Sequence, residues 1–194
     1  MDNARLEGQS LWGVAEDGCS TSNAFDTTTV KCAVARTQFV EAMARIASSV
    51  WVVNAHGARE CPGRTLTAMF PLSADHSTVM ISIKSRSRLA DVIGAAGRFS
   101  LAMLAEGQEK IADAFAGKGE VHDRYAEGDW TQWPSGQPHL LGAVVAFDCV
   151  LEKAMPMDDH TLFMGQIIGV DGARDKRPLL WYDRTYHSVS FSRT

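Results

Sequence analysis

Apolar and polar positions change period several times along the chain, and each change marks an element. Phe39, Val40, Met43, Ile46 and Ala47 share one helical face, which predicts a first helix over about 38–47. Val50-Trp51-Val52-Val53 then predicts a buried strand, ended by the turn-like His56-Gly57. Two more strands follow, separated by Pro71 and Ala74-Asp75-His76-Ser77, and the second runs Thr78-Val79-Met80-Ile81-Ser82-Ile83. It stops at three cations and two hydroxyls, Lys84-Ser85-Arg86-Ser87-Arg88. Leu89, Val92, Ile93 and Ala96 resume helical spacing at once, with Ser87 placed to cap that helix and Gly97 to end it.

Phe99 to Leu104 alternates as a strand, and a short helix over about 108–116 puts Ile111 and Phe115 on one side. Residues 117–137 read as a long irregular loop, a length that usually goes with function or with covering a site. Two long strands come next. Val145, Phe147, Cys149 and Leu151 share a face of the first; Leu162, Met164, Ile168 and Val170 are expected to share a face of the second. The tail from Pro178 through Tyr186 to Val189 predicts one more strand or edge segment. Strands joined by short turns dominate, and the regular strand–helix alternation of a doubly wound parallel sheet is absent. No G-x-G-x-x-G follows a strand, which argues against a Rossmann nucleotide site. The fold class is therefore mainly β, an antiparallel β-barrel with peripheral helices.

Composition changes this picture little. Hydrophobic residues make up 45% and charged residues 22% of 194, room for one domain with a sizeable core. A net charge of −4 gives no general attraction to nucleic acid or an anionic membrane, so any anion site has to be local. Cys19, Cys32, Cys61 and Cys149 are scattered without a Cys-x-x-Cys pair, which favours free thiols in a reducing compartment over a disulfide framework. The start of the chain has no continuous apolar run of the signal-peptide kind, and no stretch approaches the length of a membrane span. A cytoplasmic location is expected. Residues 1–36, polar and aperiodic, are expected to form a loosely held extension to a domain over 37–194.

The junction at 84–88 carries the first candidate chemistry. A helix start offers free N–H donors and the positive end of the helix dipole, and Lys84, Arg86 and Arg88 add charge suited to a phosphate. The alternative is a solvated basic turn, since no Walker-type glycine loop accompanies it.

An ordered set of short pieces then resembles the flavin reductase domain family, the FMN-binding split barrels that supply reduced flavin to two-component monooxygenases. The pieces are Phe39-x3-Met43, Val50-x-Val52-Val53, Gly63-x-Thr65, Ser73, the Ser87 helix start, Gly97-Arg98-Phe99 and Phe115-Ala116-Gly117. Asp123-Arg124-Tyr125 with Asp129-Trp130, Asp159-His160-Thr161 and Pro178-Leu179-Leu180-Trp181-Tyr182 complete it, so that the resemblance runs from about Phe39 to Tyr186. The family strand usually reads Gly-x-Thr-x-Asn-Ser-Phe; here it reads Gly63-Arg64-Thr65-Leu66-Thr67-Ala68-Met69, and the segment from Pro71 to Thr78 lacks the usual double proline.

The resemblance implies a split barrel, FMN or FAD as cofactor, NADH or NADPH as co-substrate, a homodimer and a partner monooxygenase. It implies that Thr65, Leu66, Thr67 and Ala68 line the flavin ring, that Ser82, Ile83 and Lys84 run beside it, and that Ser87 and Arg88 hold the phosphate. Small side chains suit this, because backbone N–H groups can then approach ring atoms that gain charge on reduction. The competing role for Thr65 and Thr67 is that of β-branched strand fillers. His160 is implied at the nicotinamide or flavin face; a turn histidine, a metal ligand with Asp158 and Asp159, or a general acid are the alternatives. Hydride transfer asks for positioning more than for proton traffic. Phe115 and Lys118 are placed at the flavin's edge or at a helix end, and Tyr182 and Tyr186 on the nicotinamide or at a dimer seam. Trp130, Trp133 and Trp181 read as core or interface anchors. Two other functions stay open on the same barrel: an oxidase of the pyridoxamine-phosphate type, and a non-catalytic flavin- or haem-binding protein.

Overall fold

The computed structural model describes residues 34–118 and 124–190. Helix α1 (Arg36–Ala44) leads into β1 (Ser48–Ser49), β2 (Trp51–Asn54), β3 (Gly63–Leu66), β4 (Met69–Ser73) and β5 (Thr78–Lys84). Then come α2 (Arg88–Ala96), β6 (Arg98–Met103), α3 (Glu109–Ala116), a 3-10 turn at Arg124–Ala126, β7 (Trp130–Gln132) and β8 (Pro138–Leu140). The long strands β9 (Val145–Met157) and β10 (His160–Asp171) precede the hairpin β11 (Leu179–Tyr182) and β12 (Thr185–Ser188). The described residues from Thr37 onward cluster as one compact unit. The extension expected over 1–36 lies outside the described residues except for its last three, as do Cys19 and Cys32.

Seven strands make one antiparallel sheet in the order β3-β2-β6-β9-β10-β5-β4. Its two edge strands are consecutive in the chain and joined only by Thr67 and Ala68. A sheet whose outer strands meet across two residues has to curl on itself, which is how the expected barrel arises. Ser82 N–H donates to the Ala68 carbonyl at 3.2 Å and ties the corner to β5.

Two cores flank this sheet, and β2 and β6 serve both. Trp51, Val53, Phe99 and Leu101 face a cluster with Ile81, Ile83, Leu89, Ile93 and Phe163. Val50, Val52, Ala102 and Leu104 face another with Ile111, Phe115, Leu140 and Leu179. A strand covered on both sides needs apolar residues at consecutive positions, which explains the unbroken run at 50–53.

Helix α2 has the caps expected of it. Ser87, in extended conformation, accepts from Ala90 N–H through Oγ at 3.2 Å, and Gly97 at φ 63° donates to the Ile93 carbonyl. Pro71, by contrast, does not separate strands. It lies inside β4, an edge strand whose register shifts between Pro71 and Ser73, and an edge tolerates a residue with no N–H to give. The loop expected over 117–137 contains β7, which pairs with β8, and the tail folds as two strands in place of one.

The apolar face foreseen for β10 is out of phase. Phe163 and Ile167 pack into the core, while Ile168 and Val170 are 51% and 66% exposed. Register shifts at Met164/Gly165 and Ile167/Gly169 interrupt the two-residue period on which that expectation relied. Helix α1 departs too. It ends at Ala44, and none of its residues is buried: Phe39, Val40 and Met43 all stay exposed, as does Ile46 beyond it.

Candidate flavin-binding cleft

The C-terminal end of β3, the end of α3 and the β11–β12 hairpin enclose a cleft of about 210 Å³. Val50, Thr65, Leu66, Thr67, Ala116, Lys118, Trp181 and Tyr186 line it. Strand β3 holds its place because Thr65 Oγ1–H donates to the Ala112 carbonyl at 2.6 Å and Arg124 Nη1–H donates to the Gly63 carbonyl at 2.8 Å. Thr65 therefore spends its hydroxyl proton on α3 and presents its methyl group and backbone to the cleft. Gly63 admits no side chain: a Cβ there would run into Phe115 and Asn54. Tyr125 Oη–H closes this corner on Asn54 Oδ1 at 3.0 Å, so Arg124 and Tyr125 of the sequence motif clamp the start of β3. Asp123 of that motif lies outside the described residues.

On the hairpin side, a type I′ turn with Asp183 and Arg184 both at positive φ aims Tyr186 back at α3. Tyr186 Oη–H donates to Asp113 Oδ1 at 2.7 Å, and Lys118 Nζ lies 3.0 Å from the same oxygen. Burial, and then the Asp113 carboxylate, push the Tyr186 hydroxyl pKa up. Burial works to raise the Asp113 pKa, but its hydrogen bonds with Tyr186 and Lys118 outweigh this and hold it below the usual carboxylate range. Trp181 and Tyr186 meet edge to face, ring centroids 4.9 Å apart.

Of the residues implied for the flavin, Thr65, Leu66, Thr67 and Tyr186 come together in this cleft; Ala68 does not line it, and its carbonyl accepts from Ser82 N–H. Ile83 points into the core at 3% exposure and offers a ligand only its backbone. Phe115 needs a correction. Its ring is 1% exposed and packs against Tyr125 and Trp130 at centroid distances of 5.3 and 5.4 Å, so it supports the wall from behind and edges nothing. Trp181, read from sequence as an anchor, is a cleft wall. Asp113 escaped the sequence reading altogether; nothing in a helical EKIADAFA pattern singles it out until the hairpin folds over it.

The other residues that the resemblance implies lie where β5 ends beside the start of β10. Ser85 N–H donates to the Asp159 carbonyl at 2.9 Å, Ser85 and Thr161 share a hydroxyl bond of 2.9 Å, and Lys84 sits opposite His160 in register. His160 Nδ1 lies 2.7 Å from Asp159 Oδ1, a bond that holds the Asp159 carboxyl below its ordinary pKa. Ser87 Oγ is engaged by its helix, and the Arg88 guanidinium pairs with Glu60, with Asp91 within 3.9 Å. Lys84 and Arg86 are exposed. A phosphate arriving here would meet the α2 donors and three cations, but would have to share Arg88 with Glu60.

Flat aromatic walls, hydroxyl-bearing strand residues and a basic helix start suit a phosphorylated planar cofactor. The relatives agree. An FMN reductase (NADH) RutF of Cronobacter sakazakii is 30% identical over 152 residues, covering 78% of this chain and 92% of the relative. The reductase component of 4-hydroxyphenylacetate 3-monooxygenase of Thermus thermophilus is 32% identical over 151 residues, 78% of this chain and 95% of the relative. Among solved structures, the styrene monooxygenase flavin reductase of Pseudomonas putida S12 superposes with a TM-score of 0.70 at 28% identity, covering 80% of this chain and 99% of that one. The model of the flavin reductase like domain matches residues 43–190, and the chain belongs to that family.

Proposed function

We propose that this protein is an NAD(P)H-dependent flavin reductase that passes reduced FMN or FAD to a partner monooxygenase. The cleft carries this reading, because Thr65, Leu66 and Thr67 of β3 and the joint after it meet Tyr186 of β12 there in a member of that family. Relatives named as an FMN reductase (NADH) and as the reductase component of a monooxygenase support it. Bound flavin supplies the acceptor for the two electrons and one proton that leave the nicotinamide as hydride. The chain's part is to hold the ring against β3, to bind the phosphate at Lys84, Ser87 and Arg88, and to orient the nicotinamide with His160. The free thiols of Cys61 and Cys149 suit a reducing cytoplasm, and no helix among the described residues is long and apolar enough to cross a membrane.

The test is NADH oxidation with added flavin. Turnover should require flavin in excess and saturate in both substrates; no added rate from free FMN or FAD would defeat the diffusible-flavin reading. His160→Ala should lower kcat/KM for NADH by about tenfold, a modest misplacement effect, with oxidised flavin bound as before. Unchanged reduction kinetics would make His160 a turn residue.

The working form is a homodimer in this proposal. Ile168 and Val170 line an apolar groove of about 710 Å³, with Trp51, Met69 and Phe147, and Phe70 and Leu72 of the neighbouring β4 are nearly half exposed. A second copy is the occupant that every molecule meets at equal concentration, and an isologous patch serves both partners. Sedimentation should give twice the chain mass, and Val170→Glu should yield monomer. A monomeric parent would overturn this.

A further inference from the structure

Lys118 is the one charged residue among the eight that line the cleft. Its ammonium lies 5.2 Å from the Trp181 ring centroid and 5.4 Å from that of Tyr186, near enough to both π faces for attraction. Asp113, which fixes it at 3.0 Å, is not a lining residue and holds it from behind. Tyr186 donates to the same carboxylate oxygen, so the anion is already partly satisfied without the lysine. Backbone geometry contributes as well: Gly117, at φ 76°, ends α3 and turns the chain so that Lys118 N–H returns to the Asp113 carbonyl at 3.0 Å. The outcome is a positive group anchored on the wall of an otherwise neutral cleft.

We propose that Lys118 makes this cleft select for the charge state of the flavin, binding the reduced, anionic ring more tightly than the oxidised, neutral one. The inference rests on the proposed flavin reductase function. Oxidised flavin has a neutral ring; after hydride uptake the ring carries one net negative charge, balanced by the positive charge on the oxidised nicotinamide. Lys118 interacts differently with these two states, while Val50, Thr65, Leu66, Thr67, Ala116 and the aromatic walls bear no charge to tell them apart. With a side chain 55% exposed the effect is screened by water, so it is modest in size.

Riboflavin is the probe, since it lacks the phosphate and isolates the ring. Its affinity is measured under anaerobic conditions for the oxidised and the dithionite-reduced form, on the parent, Lys118→Met, Lys118→Arg and Thr67→Trp. The parent should favour reduced riboflavin; Lys118→Met should shrink that ratio about three- to fivefold, and Lys118→Arg should keep it. Raising the salt concentration should lower the ratio in the parent and leave Lys118→Met unmoved. An equal ratio in the parent and Lys118→Met would overturn the role of Lys118 while leaving the cleft assignment intact. Undiminished riboflavin binding in Thr67→Trp, which fills the cleft, would overturn the cleft assignment and this inference with it.

Discussion

Gly165→Ala is expected to destabilise the protein by about 3 kcal/mol, near the top of the range for overpacking a filled core. A Cβ on residue 165 would lie 2.7 Å from Phe99 Cε1, closer still to Cζ, and 3.3 Å from Cys149 Cβ. Phe99 of β6 is wholly buried in the core cluster with Leu89 and Ile93 of α2 and has nowhere to retreat. Strand β10 cannot move away either, because Gly165 pairs with Val79 on one side and Leu151 on the other. For a domain of this size the loss corresponds to a Tm lower by roughly 6–12 °C. Gly94→Ala is the matched control. That glycine sits in α2 with nothing within 4 Å of an added Cβ, so the same methyl should raise stability by about 0.5–1 kcal/mol. Thermal melts of the two variants should move in opposite directions. Equal shifts would mean that close packing at residue 165 is not what requires a glycine.

FMN is expected to bind about ten- to a hundredfold more tightly than riboflavin, because a charge-assisted hydrogen bond to phosphate contributes roughly 1.5–3 kcal/mol. The two ligands share the ring and differ only at the end assigned to Lys84, Ser87 and Arg88. Arg88→Ala should narrow the gap without changing riboflavin affinity. Since Arg88 is paired with Glu60, removing that competitor by Glu60→Gln should widen it. Salt should weaken FMN more than riboflavin. FAD carries a diester and should discriminate less. Titration of both ligands on the parent and the two variants decides the matter: equal affinities in the parent would return 84–88 to an ordinary basic turn.

Period and punctuation make much of this molecule legible in its sequence. The helix capped by Ser87 and ended by Gly97, the buried strand at 50–53 and the paired long strands follow from local rules, and so does the barrel class. The ordered motifs point to β3, whose Thr65 and Leu66 line the cleft, and to the cation cluster as a proposed phosphate end. What failed was non-local. Bulges shifted the face of β10, an uncovered α1 left Phe39 and Met43 facing outward, and Phe115 looked like a site edge but fills a core. The Asp113–Tyr186–Lys118 group joins residues 73 positions apart in sequence, and no window across a single element contains that information.

The two-residue joint between β3 and β4 has a consequence for how the protein assembles. The strand that lines the cleft and the strand that leads to the proposed phosphate end stand apart in the sheet order, with β2, β6, β9 and β10 between them. The β4–β5 hairpin and the Ser82–Ala68 bond join the proposed ring wall to the proposed phosphate end locally, while β3 also pairs with β2 and β5 with β10, so the rest of the sheet holds both ends in place. Such long-range pairing is the slow part of β-protein folding. Ligand affinity is thereby coupled to whole-molecule unfolding, so flavin at a hundred times its Kd should stabilise the entire unit by about 2.7 kcal/mol. Hydrogen-exchange protection should then rise in β6 and β9, strands that touch no part of the ligand.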